Sequence, residues 1–309
     1  MTLTIDKGCF KMVLFLMTNR CNLSCRHCYV SSSPHGEFGF DFGKMWHLLK
    51  EIQSELGSVR IALSGGEPLT RSKDALDFLE AANKLHPLLL LTNGTLITQN
   101  MADKLSKLNM TIRISLDGYS AETHDLIRGK GSFKKSIKGI HNLQNSGFPL
   151  ENIELFAMIP PEGVDGLPKV LSLAEDLGIR KMKIEPIAKT GRALEFWSKY
   201  SSQPDPETQE YRLLFFGDNH LDFLEKWRIE QINDLAFDVL NIYSDGTVYP
   251  YTFQGDEDKE LGALGNVNSA SLREILSQDR LSKSIVDKFI RTARGPERSL
   301  AAMRLTYIG

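Results

Sequence analysis

The sequence predicts an α/β fold on parallel strands, either a partial (β/α)6 TIM-like barrel or an open doubly wound sheet, followed by a small α+β extension. Three observations support this prediction. Short apolar runs alternate with segments of helical period, six times between about residues 10 and 190. Six repeats are too few for a complete eight-fold barrel. Beyond about residue 201 the alternation stops and shorter elements follow.

The six predicted strands are short apolar runs, as expected for strands buried on both faces of a parallel sheet. They cover residues 12–17, 59–63, 87–92, 110–116, 153–159 and 182–187. The helices between them are predicted from apolar residues at three- and four-residue spacing and from glycines at helix ends. They cover residues 45–56, 75–85, 101–108, 133–144 and 167–177. Ligands of such a fold are expected at the C-terminal ends of the strands.

We expect two domains, residues 1–200 and residues 201–309. The elements predicted in the second are helices at 206–216 and 221–227, a β-hairpin at 239–251 and a helical stretch at 272–290. The hairpin is predicted from an Asp245-Gly246 turn between two apolar runs.

Composition limits the classes of function. The chain is 41% hydrophobic, enough for a sizeable core, and its formal charge of −2 gives no general affinity for nucleic acid. No apolar run approaches the roughly 18–20 residues that a membrane span needs, and the N-terminus lacks the layout of a secretory signal. We therefore expect a cytoplasmic protein with no nucleic-acid or membrane partner.

Three of the four cysteines lie within eight residues, at Cys21, Cys25 and Cys28. Clustering in one loop suits metal ligation in a reducing compartment, whereas a disulfide scaffold spreads its cysteines along the chain. The fourth, Cys9, precedes the first strand and is interpreted as a small buried residue.

The Cys-x3-Cys-x2-Cys spacing provides three thiolates, the usual protein ligands of iron–sulfur clusters. Three thiolates hold three corners of a 4Fe–4S cube and leave one iron open for another ligand. The alternative is a zinc site with His27 as the fourth ligand. It is less favoured, because zinc sites more often use paired Cys-x2-Cys units and because His27 would have to turn back sharply.

The cysteine loop followed by Tyr29 resembles the signature of the radical S-adenosylmethionine (SAM) superfamily. Further segments are similar to that family in order and spacing across about residues 10–195. They are Gly65-Gly66-Glu67-Pro68, Thr92-Asn93-Gly94, Ser115-Leu116-Asp117-Gly118, the run from His124 to Gly129, and Gly191-Arg192-Ala193. The resemblance favours the partial (β/α)6 barrel and implies an enzyme with two cofactors, one 4Fe–4S cluster and SAM.

The resemblance also implies which residues contact SAM. They are Tyr29, Gly65, Gly66, Glu67, Asn93, Ser115 and Arg128. In this interpretation the Gly65-Gly66 backbone and Glu67 receive the SAM ammonium, Arg128 pairs with its carboxylate, and Ser115 meets its ribose or carboxylate. A Gly-Gly pair permits close backbone approach, and an arginine fork fits a carboxylate. The Gly191-Arg192-Ala193 segment is expected near the adenosine.

Residues 239–275 resemble part of the SPASM/twitch extension of radical SAM enzymes. A cysteine that ligates an auxiliary cluster normally follows the proline of this motif, and Tyr251 occupies that position. No cysteine follows Cys28 in the sequence, so we expect an extension without a cysteine-ligated auxiliary cluster. The alternative is a plain β-hairpin cap over the open end of the barrel.

The mechanism implied by the resemblance is reductive cleavage of SAM to a 5′-deoxyadenosyl radical, which then abstracts a substrate hydrogen. The electron would come from a flavodoxin- or ferredoxin-type donor. The first substrate hypothesis is a peptide, as in the maturation of ribosomally made peptides. The second is a small molecule such as a sugar, nucleoside or tetrapyrrole intermediate, with Glu185, Arg192 and His220 lining the pocket. The third is a non-catalytic scaffold that keeps the fold.

Overall fold

The computed structural model describes residues 10–37, 39–159, 166–187, 190–197, 227–232, 239–249, 263–277 and 302–307. The described strands are β1 (Met12–Leu16), β2 (Arg60–Ser64), β3 (Leu88–Thr92), β4 (Met110–Ser115), β5 (Ile153–Ile159), β6 (Lys181–Pro186), β7 (Trp227–Ile232), β8 (Val239–Ile242), β9 (Thr247–Tyr249), β10 (Gly265–Asn266) and β11 (Ala302–Tyr307).

The described α-helices are α1 (Phe42–Leu56), α2 (Ser72–Ala82), α3 (Gln99–Leu105), α4 (Ala121–Arg128), α5 (Ser132–Asn145), α6 (Leu167–Asp176), α7 (Ala193–Trp197) and α8 (Leu272–Ser277). Two short 3₁₀ turns cover Pro68–Arg71 and Leu150–Asn152. None of the described helices combines the length and the apolar character that crossing a membrane requires.

Strands β1 to β6 lie side by side in chain order, and every neighbouring pair among them is parallel. A doubly wound sheet would reverse its strand order at a switch point, and this sheet does not. The prediction of a partial (β/α)6 barrel is therefore confirmed and the doubly wound alternative is wrong. The sheet is open, because β10 and β7 form its two separate edges.

The predicted C-terminal hairpin is present as the antiparallel pair β8 and β9. Its turn is closed by Asp245, whose carboxylate accepts from the Thr247 N–H at 2.9 Å. The sequence did not predict that β8 adds to the main sheet as a parallel neighbour of β1. It also did not predict β7 and β11, which pair antiparallel beyond β6.

Several predictions for the chain ends fall outside the described residues. These are Cys9, His220, Tyr251, the helix at 206–216, and the helix at 221–227 except its last residue, Trp227, which begins strand β7. Of the helical stretch predicted over 272–290, the structure describes its beginning as α8. The domain boundary between residues 200 and 201 stays a prediction.

The core lies on both faces of the sheet because side chains alternate along each strand. On β1, Val13 and Phe15 join the larger core between the sheet and the helices. Leu14 and Leu16 point to the opposite, inner face and pack with Ala62, Leu89 and Val239. Burial on both faces explains why the strands are continuously apolar in the sequence.

Candidate functional site

The cysteine loop, residues 17–33, crosses the sheet at the C-terminal ends of the parallel strands, where the sequence predicted the site. Cys21 and Cys25 are buried and Cys28 is half-buried. All three are free thiols. The three predicted cluster ligands therefore lie together in one fixed loop, without a disulfide.

The loop after β2 packs directly against the cysteine loop. Gly66 N–H donates to the Thr18 carbonyl at 2.7 Å, and Glu67 N–H donates to the Arg20 carbonyl at 3.0 Å. A Cβ on Gly66 would lie 2.4 Å from that Arg20 oxygen, too close for any side chain. Glycine is therefore required here so that two backbone segments can touch.

Backbone N–H groups surround the sulfur atoms. Leu23 donates to Cys21 Sγ and Ser32 donates to Cys28 Sγ, both at 3.3 Å. Such bonds stabilise a thiolate and are among the features that tune iron–sulfur clusters. Burial raises the pKa of the Cys21 thiol to about 12 and also raises the pKa of Cys25. Two of the thiols therefore stay protonated until a metal cation replaces the proton.

We define the Glu67 cluster as Glu67, Thr92, Asn93 and Asn22. The Glu67 carboxylate is fully buried and accepts from Leu69 N–H at 3.0 Å, Thr92 O–H at 2.8 Å and Asn93 N–H at 2.7 Å. Burial raises the pKa of Glu67, although these hydrogen bonds oppose the shift. The carboxylate thus joins the end of β2 to the end of β3.

The Glu67 cluster reaches Cys21 through the side chain of Asn93. Its amide nitrogen donates to Asn22 Oδ1 at 2.9 Å and approaches Cys21 Sγ at 3.9 Å. Its amide oxygen accepts from both the backbone and the hydroxyl of Thr95. Both oxygens of Glu67 accept from protein donors, and the bond from Asn93 N–H ties the carboxylate to the loop after β3.

We define the Asp117 cluster as Asp117, His27, Arg128 and His124, all of them buried. Asp117 accepts from His27 Nε2 at 2.7 Å, from Met158 N–H at 2.9 Å, and from both Nε and Nη2 of Arg128. Burial alone would raise the pKa of Asp117, but the charges of Arg128 and His27 outweigh it and hold that pKa well below its usual range. His124 Nδ1 accepts from the Asp117 N–H.

The Asp117 cluster reaches Cys25 through the end of α4. The Cys25 thiol donates to the Arg128 carbonyl at 3.9 Å, and Arg26 N–H donates to the Ile127 carbonyl at 2.9 Å. Arg128 was predicted to bind a SAM carboxylate, yet two of its three nitrogens bind Asp117. Its Nη1 has no partner among the described residues and is the nitrogen available to a ligand.

His27 is the residue that the zinc alternative would use. Its Nε2 binds Asp117, and its Nδ1 is buried without a hydrogen-bond partner in the described part of the chain. Across the described ranges, no three His, Cys, Asp or Glu side chains are arranged to hold a single metal ion. In the structure, His27 serves to connect the cysteine loop to Asp117.

Arg192, which follows β6, clamps the cysteine loop from the other side. Its Nε donates to the Cys25 carbonyl at 2.8 Å and its Nη2 to the Ser32 carbonyl at 2.7 Å. A Cβ on the neighbouring Gly191 would lie 2.3 Å from the Tyr29 carbonyl oxygen, so this approach also needs glycine. Arg192 was expected to line the substrate pocket, and the structure uses it to hold the cysteine loop.

Three other predicted residues are placed as follows. Tyr29 is half-buried and packs on the inner-face core. Ser115 ends β4, half-buried, with no side-chain partner within the described residues. Glu185 on β6 pairs with Lys183 at 2.6 Å.

Sequence reasoning missed the Asp117–His27 pair and the Arg192 clamp. Asp117 stood inside a quoted motif without a role, because a strand-end aspartate is most often a turn residue. Helix α4, which carries Arg128, was missed as well. Its signal was the capping box formed by Ser120 and Thr123, which precedes the apolar pair Leu126 and Ile127.

Comparison with known proteins agrees with this geometry. The family model of the Radical SAM superfamily matches residues 15–174, more than half of the chain. The chain is 33% identical over 191 residues to an AdoMet-dependent heme synthase of Methanosarcina barkeri, covering 60% of this chain and 53% of that protein. It is 29% identical over 197 residues to the mycofactocin maturase MftC of Mycolicibacterium smegmatis, covering 63% and 49%.

Among solved structures, the chain resembles Streptococcus suis SuiB bound to the precursor peptide SuiA. The TM-score is 0.65 at 14% identity, covering 88% of this chain and 65% of SuiB. At this identity the likeness shows the fold alone. The chain spans about half the length of the curated relatives described above.

Proposed function

This chain belongs to the radical SAM superfamily, and we propose that it uses one 4Fe–4S cluster and SAM to modify a peptide. When bound, these cofactors supply a one-electron cleavage of SAM that yields a 5′-deoxyadenosyl radical able to abstract a substrate hydrogen. The electron would come from a flavodoxin- or ferredoxin-type protein. The residues of the chain bind and orient the two cofactors and exclude water.

A single observation carries the proposal. Three free thiols lie in one rigid loop at the strand ends, with backbone N–H groups donating to two of the sulfur atoms. This donor set fits an iron–sulfur cluster, because thiolates are its usual ligands and N–H···S bonds stabilise it. We therefore propose Cys21, Cys25 and Cys28 as its ligands.

The proposed SAM contacts divide into two kinds. We propose that Gly65, Gly66, Ser115 and Tyr29 contact SAM directly. The Ser115 hydroxyl has no protein partner within the described residues, and the Gly65-Gly66 backbone packs beside the cysteine loop that carries Tyr29. Most polar side-chain atoms of Glu67, Asn93 and Arg128 form hydrogen bonds with protein groups. We propose that Glu67 and Asn93 act as positioning residues and that Arg128 contributes Nη1 to the SAM carboxylate.

A peptide substrate is supported by two of the comparisons. SuiB was solved with a precursor peptide, and its fold covers 88% of this chain. One curated relative is named a maturase. A tetrapyrrole substrate is the second candidate, because the higher of the two sequence identities above, 33%, is to a heme synthase.

The test uses anaerobically reconstituted protein with dithionite and SAM, and 5′-deoxyadenosine is quantified by mass spectrometry. We expect its formation in the wild-type protein and its loss in Cys25→Ser, together with loss of the cluster absorbance. No 5′-deoxyadenosine from a wild-type protein that holds its cluster would overturn the proposal. Parallel incubations with a candidate precursor peptide and with Fe-coproporphyrin III decide between the substrates, since only the true substrate changes in mass.

A further inference from the structure

We propose that an exposed basic surface on α4 and α5 is the docking site of a small acidic one-electron carrier protein that reduces the cluster. We call this surface the basic face, and it consists of Leu126, Lys130, Lys134, Lys135 and Lys138. The inference rests on the proposed function, because it needs a cluster to be reduced. It adds the place at which the electron enters the molecule.

The basic face concentrates positive charge that the chain as a whole lacks. Its four lysines are exposed, and within the described residues no carboxylate lies at ion-pair distance from any of them. The nearby Asp125 carboxylate caps α5, accepting from Ser132 Oγ at 3.0 Å and from Phe133 N–H at 2.8 Å. The four lysines carry four positive charges, and the Glu122 and Asp125 carboxylates of α4 leave a local excess of two, in a chain whose formal net charge is −2.

The basic face also includes one exposed apolar side chain. Leu126 is 65% exposed, more than any other large hydrophobic residue that the structure describes. It lies on the solvent side of α4, whereas His124, Ile127 and Arg128 of the same helix are buried. An exposed apolar side chain on a surface with more lysines than carboxylates suits a transient complex with an acidic protein, since the charges steer the encounter.

The face is connected to the thiols at two points. Through α4, the carbonyl of Arg128 meets the Cys25 thiol at 3.9 Å. Through α5, Ser136 Oγ donates to the Asn93 carbonyl at 2.7 Å, and the Asn93 amide approaches Cys21 Sγ at 3.9 Å. The two helices that carry the basic face are therefore linked by short chains of contacts to two of the proposed cluster ligands.

The backing of the face is close-packed. A Cβ on Gly139 of α5 would lie 2.2 Å from the Gly94 carbonyl oxygen, so α5 sits directly on the loop that carries Asn93. Helix α5 buries its small and apolar side and exposes its lysines. The packing therefore holds α5 directly against the loop that carries Asn93.

The step is balanced without other reactants. One electron would leave the reduced carrier, which is thereby oxidised, and would reduce by one electron the 4Fe–4S cluster that Cys21, Cys25 and Cys28 would hold. No bond is made or broken and no proton is needed. The carrier is identified only by its chemistry, an acidic surface around a low-potential one-electron centre.

The molecule offers a matched control surface. Lys73, Lys104 and Lys107 line a groove between α2 and α3. There the lysines alternate with Asp77 and Glu80, and Lys73 pairs with Asp77 at 2.6 Å. A triple charge reversal on this groove changes the net charge by the same amount as one on the basic face.

The experiment compares Lys134→Glu/Lys135→Glu/Lys138→Glu with Lys73→Glu/Lys104→Glu/Lys107→Glu in the cluster-loaded protein. Reduction of the cluster by hydroquinone-state flavodoxin is followed by stopped-flow absorbance, and reduction by dithionite is measured in parallel. Loss of electrostatic steering should slow the flavodoxin reaction of the first variant by about 10-fold or more. The control variant should stay within about 2-fold, and both should react with dithionite like wild type.

Equal flavodoxin rates for the two triple variants would overturn the docking site. If dithionite reduction also slows, the affinity of the variant for oxidised flavodoxin is measured by calorimetry and decides whether docking is lost. Thermal unfolding of the same protein confirms that the variant is folded. Unchanged flavodoxin affinity in the basic-face variant overturns the inference, and a loss of flavodoxin affinity in that variant alone supports it. Failure of the proposed function looks different, because wild-type protein would then give no 5′-deoxyadenosine even with dithionite.

Discussion

Two buried carboxylates hold the cysteine loop, and they do so by different forces. Glu67, at the end of β2, accepts only from neutral donors, namely two backbone N–H groups and one hydroxyl. Asp117, after β4, is bound by the guanidinium of Arg128 and the ring of His27. One cluster ends at Cys21 and the other at Cys25.

The pKa values of the two carboxylates show the difference. Burial raises the pKa of Glu67 because neutral donors do not offset the full cost of removing a charge from water. The pKa of Asp117 moves the other way, because two positively charged or ionisable partners outweigh its burial. We conclude that the Glu67 half of the site tolerates a neutral carboxyl group. The Asp117 half depends on a negatively charged one.

The largest effect is expected from Asp117→Asn. The substitution leaves the Arg128 guanidinium buried without its counter-charge, which costs about 3–5 kcal/mol of the free energy of unfolding. Urea unfolding followed by circular dichroism measures the loss. The cluster content after reconstitution should fall as well, because Arg128 and His27 flank Cys25.

A double variant shows whether unpaired charge is the cause. Asp117→Asn/Arg128→Gln removes both partners, so its loss should be smaller than the sum of the two single losses. If the losses of the two single variants add up to that of the double variant within about 0.5 kcal/mol, Asp117 and Arg128 are not coupled. That result would contradict the proposed difference between the Glu67 and Asp117 halves of the site.

A smaller effect is expected from Glu67→Gln. Glutamine keeps the shape and one acceptor oxygen, but its NH₂ group meets a backbone donor and leaves an N–H unpaired, at a cost of about 1–3 kcal/mol. The same urea titration measures it. A loss equal to that of Asp117→Asn would contradict the distinction between the two halves.

Thr92→Val should have a still smaller effect, about 1 kcal/mol. It removes the hydroxyl that donates to Glu67 and accepts from Gly94 N–H, with little change in volume. The backbone donors Leu69 and Asn93 remain on the carboxylate. Thr95→Val, whose hydroxyl bonds only within the loop after β3 and to Asn22, serves as the control, and thermal unfolding ranks the two.

The smallest effect is a pH dependence of the difference between wild type and Glu67→Gln. In the folded protein the pKa of Glu67 is raised above its usual value of 4.5, so folding favours the protonated carboxyl. This contribution to the free energy of unfolding is complete below pH 4.5 and is lost as the pH rises through the folded pKa. The destabilisation caused by Glu67→Gln should therefore shrink between pH 4.5 and pH 8. The shift at Asp117 has the opposite sign, with stability lost only below its usual 3.8.

Unfolding free energies at several pH values test this. The buried histidines are present in both proteins, so their own titration cancels in the difference. A difference that grows with pH would place the charged form of Glu67 among the stabilised groups and contradict the raised pKa.

Much of the fold could be predicted because it depends on local patterns. Each central strand is buried on two faces, so Val13 and Leu14 both had to be apolar, and the six runs stand out in the sequence. The cysteine loop is recognisable for the same reason, since its spacing lies within one short segment, and the role of its three thiols as cluster ligands stays a prediction. Strand β8 could not be placed, because its pairing with β1 joins residues far apart in the chain.

The polar residues of the site were identified as important, but their partners were not. A glutamate or arginine at a strand end looks the same in the sequence whether its side chain contacts a ligand or a buried protein group. Arg128 was assigned to SAM, and only the packed structure shows Asp117 within reach of its fork. Glu67 was likewise assigned to an ammonium, although its oxygens point to Thr92 and Asn93.

The Arg192 clamp can form only late in the synthesis of the chain. Its two hydrogen bonds to the cysteine loop join residues 167 and 160 positions apart. A ribosome adding about 5–20 residues per second needs about 8–30 s to cover that interval. Throughout this time Cys21, Cys25 and Cys28 lie in a loop that still lacks the two hydrogen bonds from Arg192. The cell must therefore keep them from oxidation, and delivery of iron and sulfide is best timed after the sixth strand has emerged.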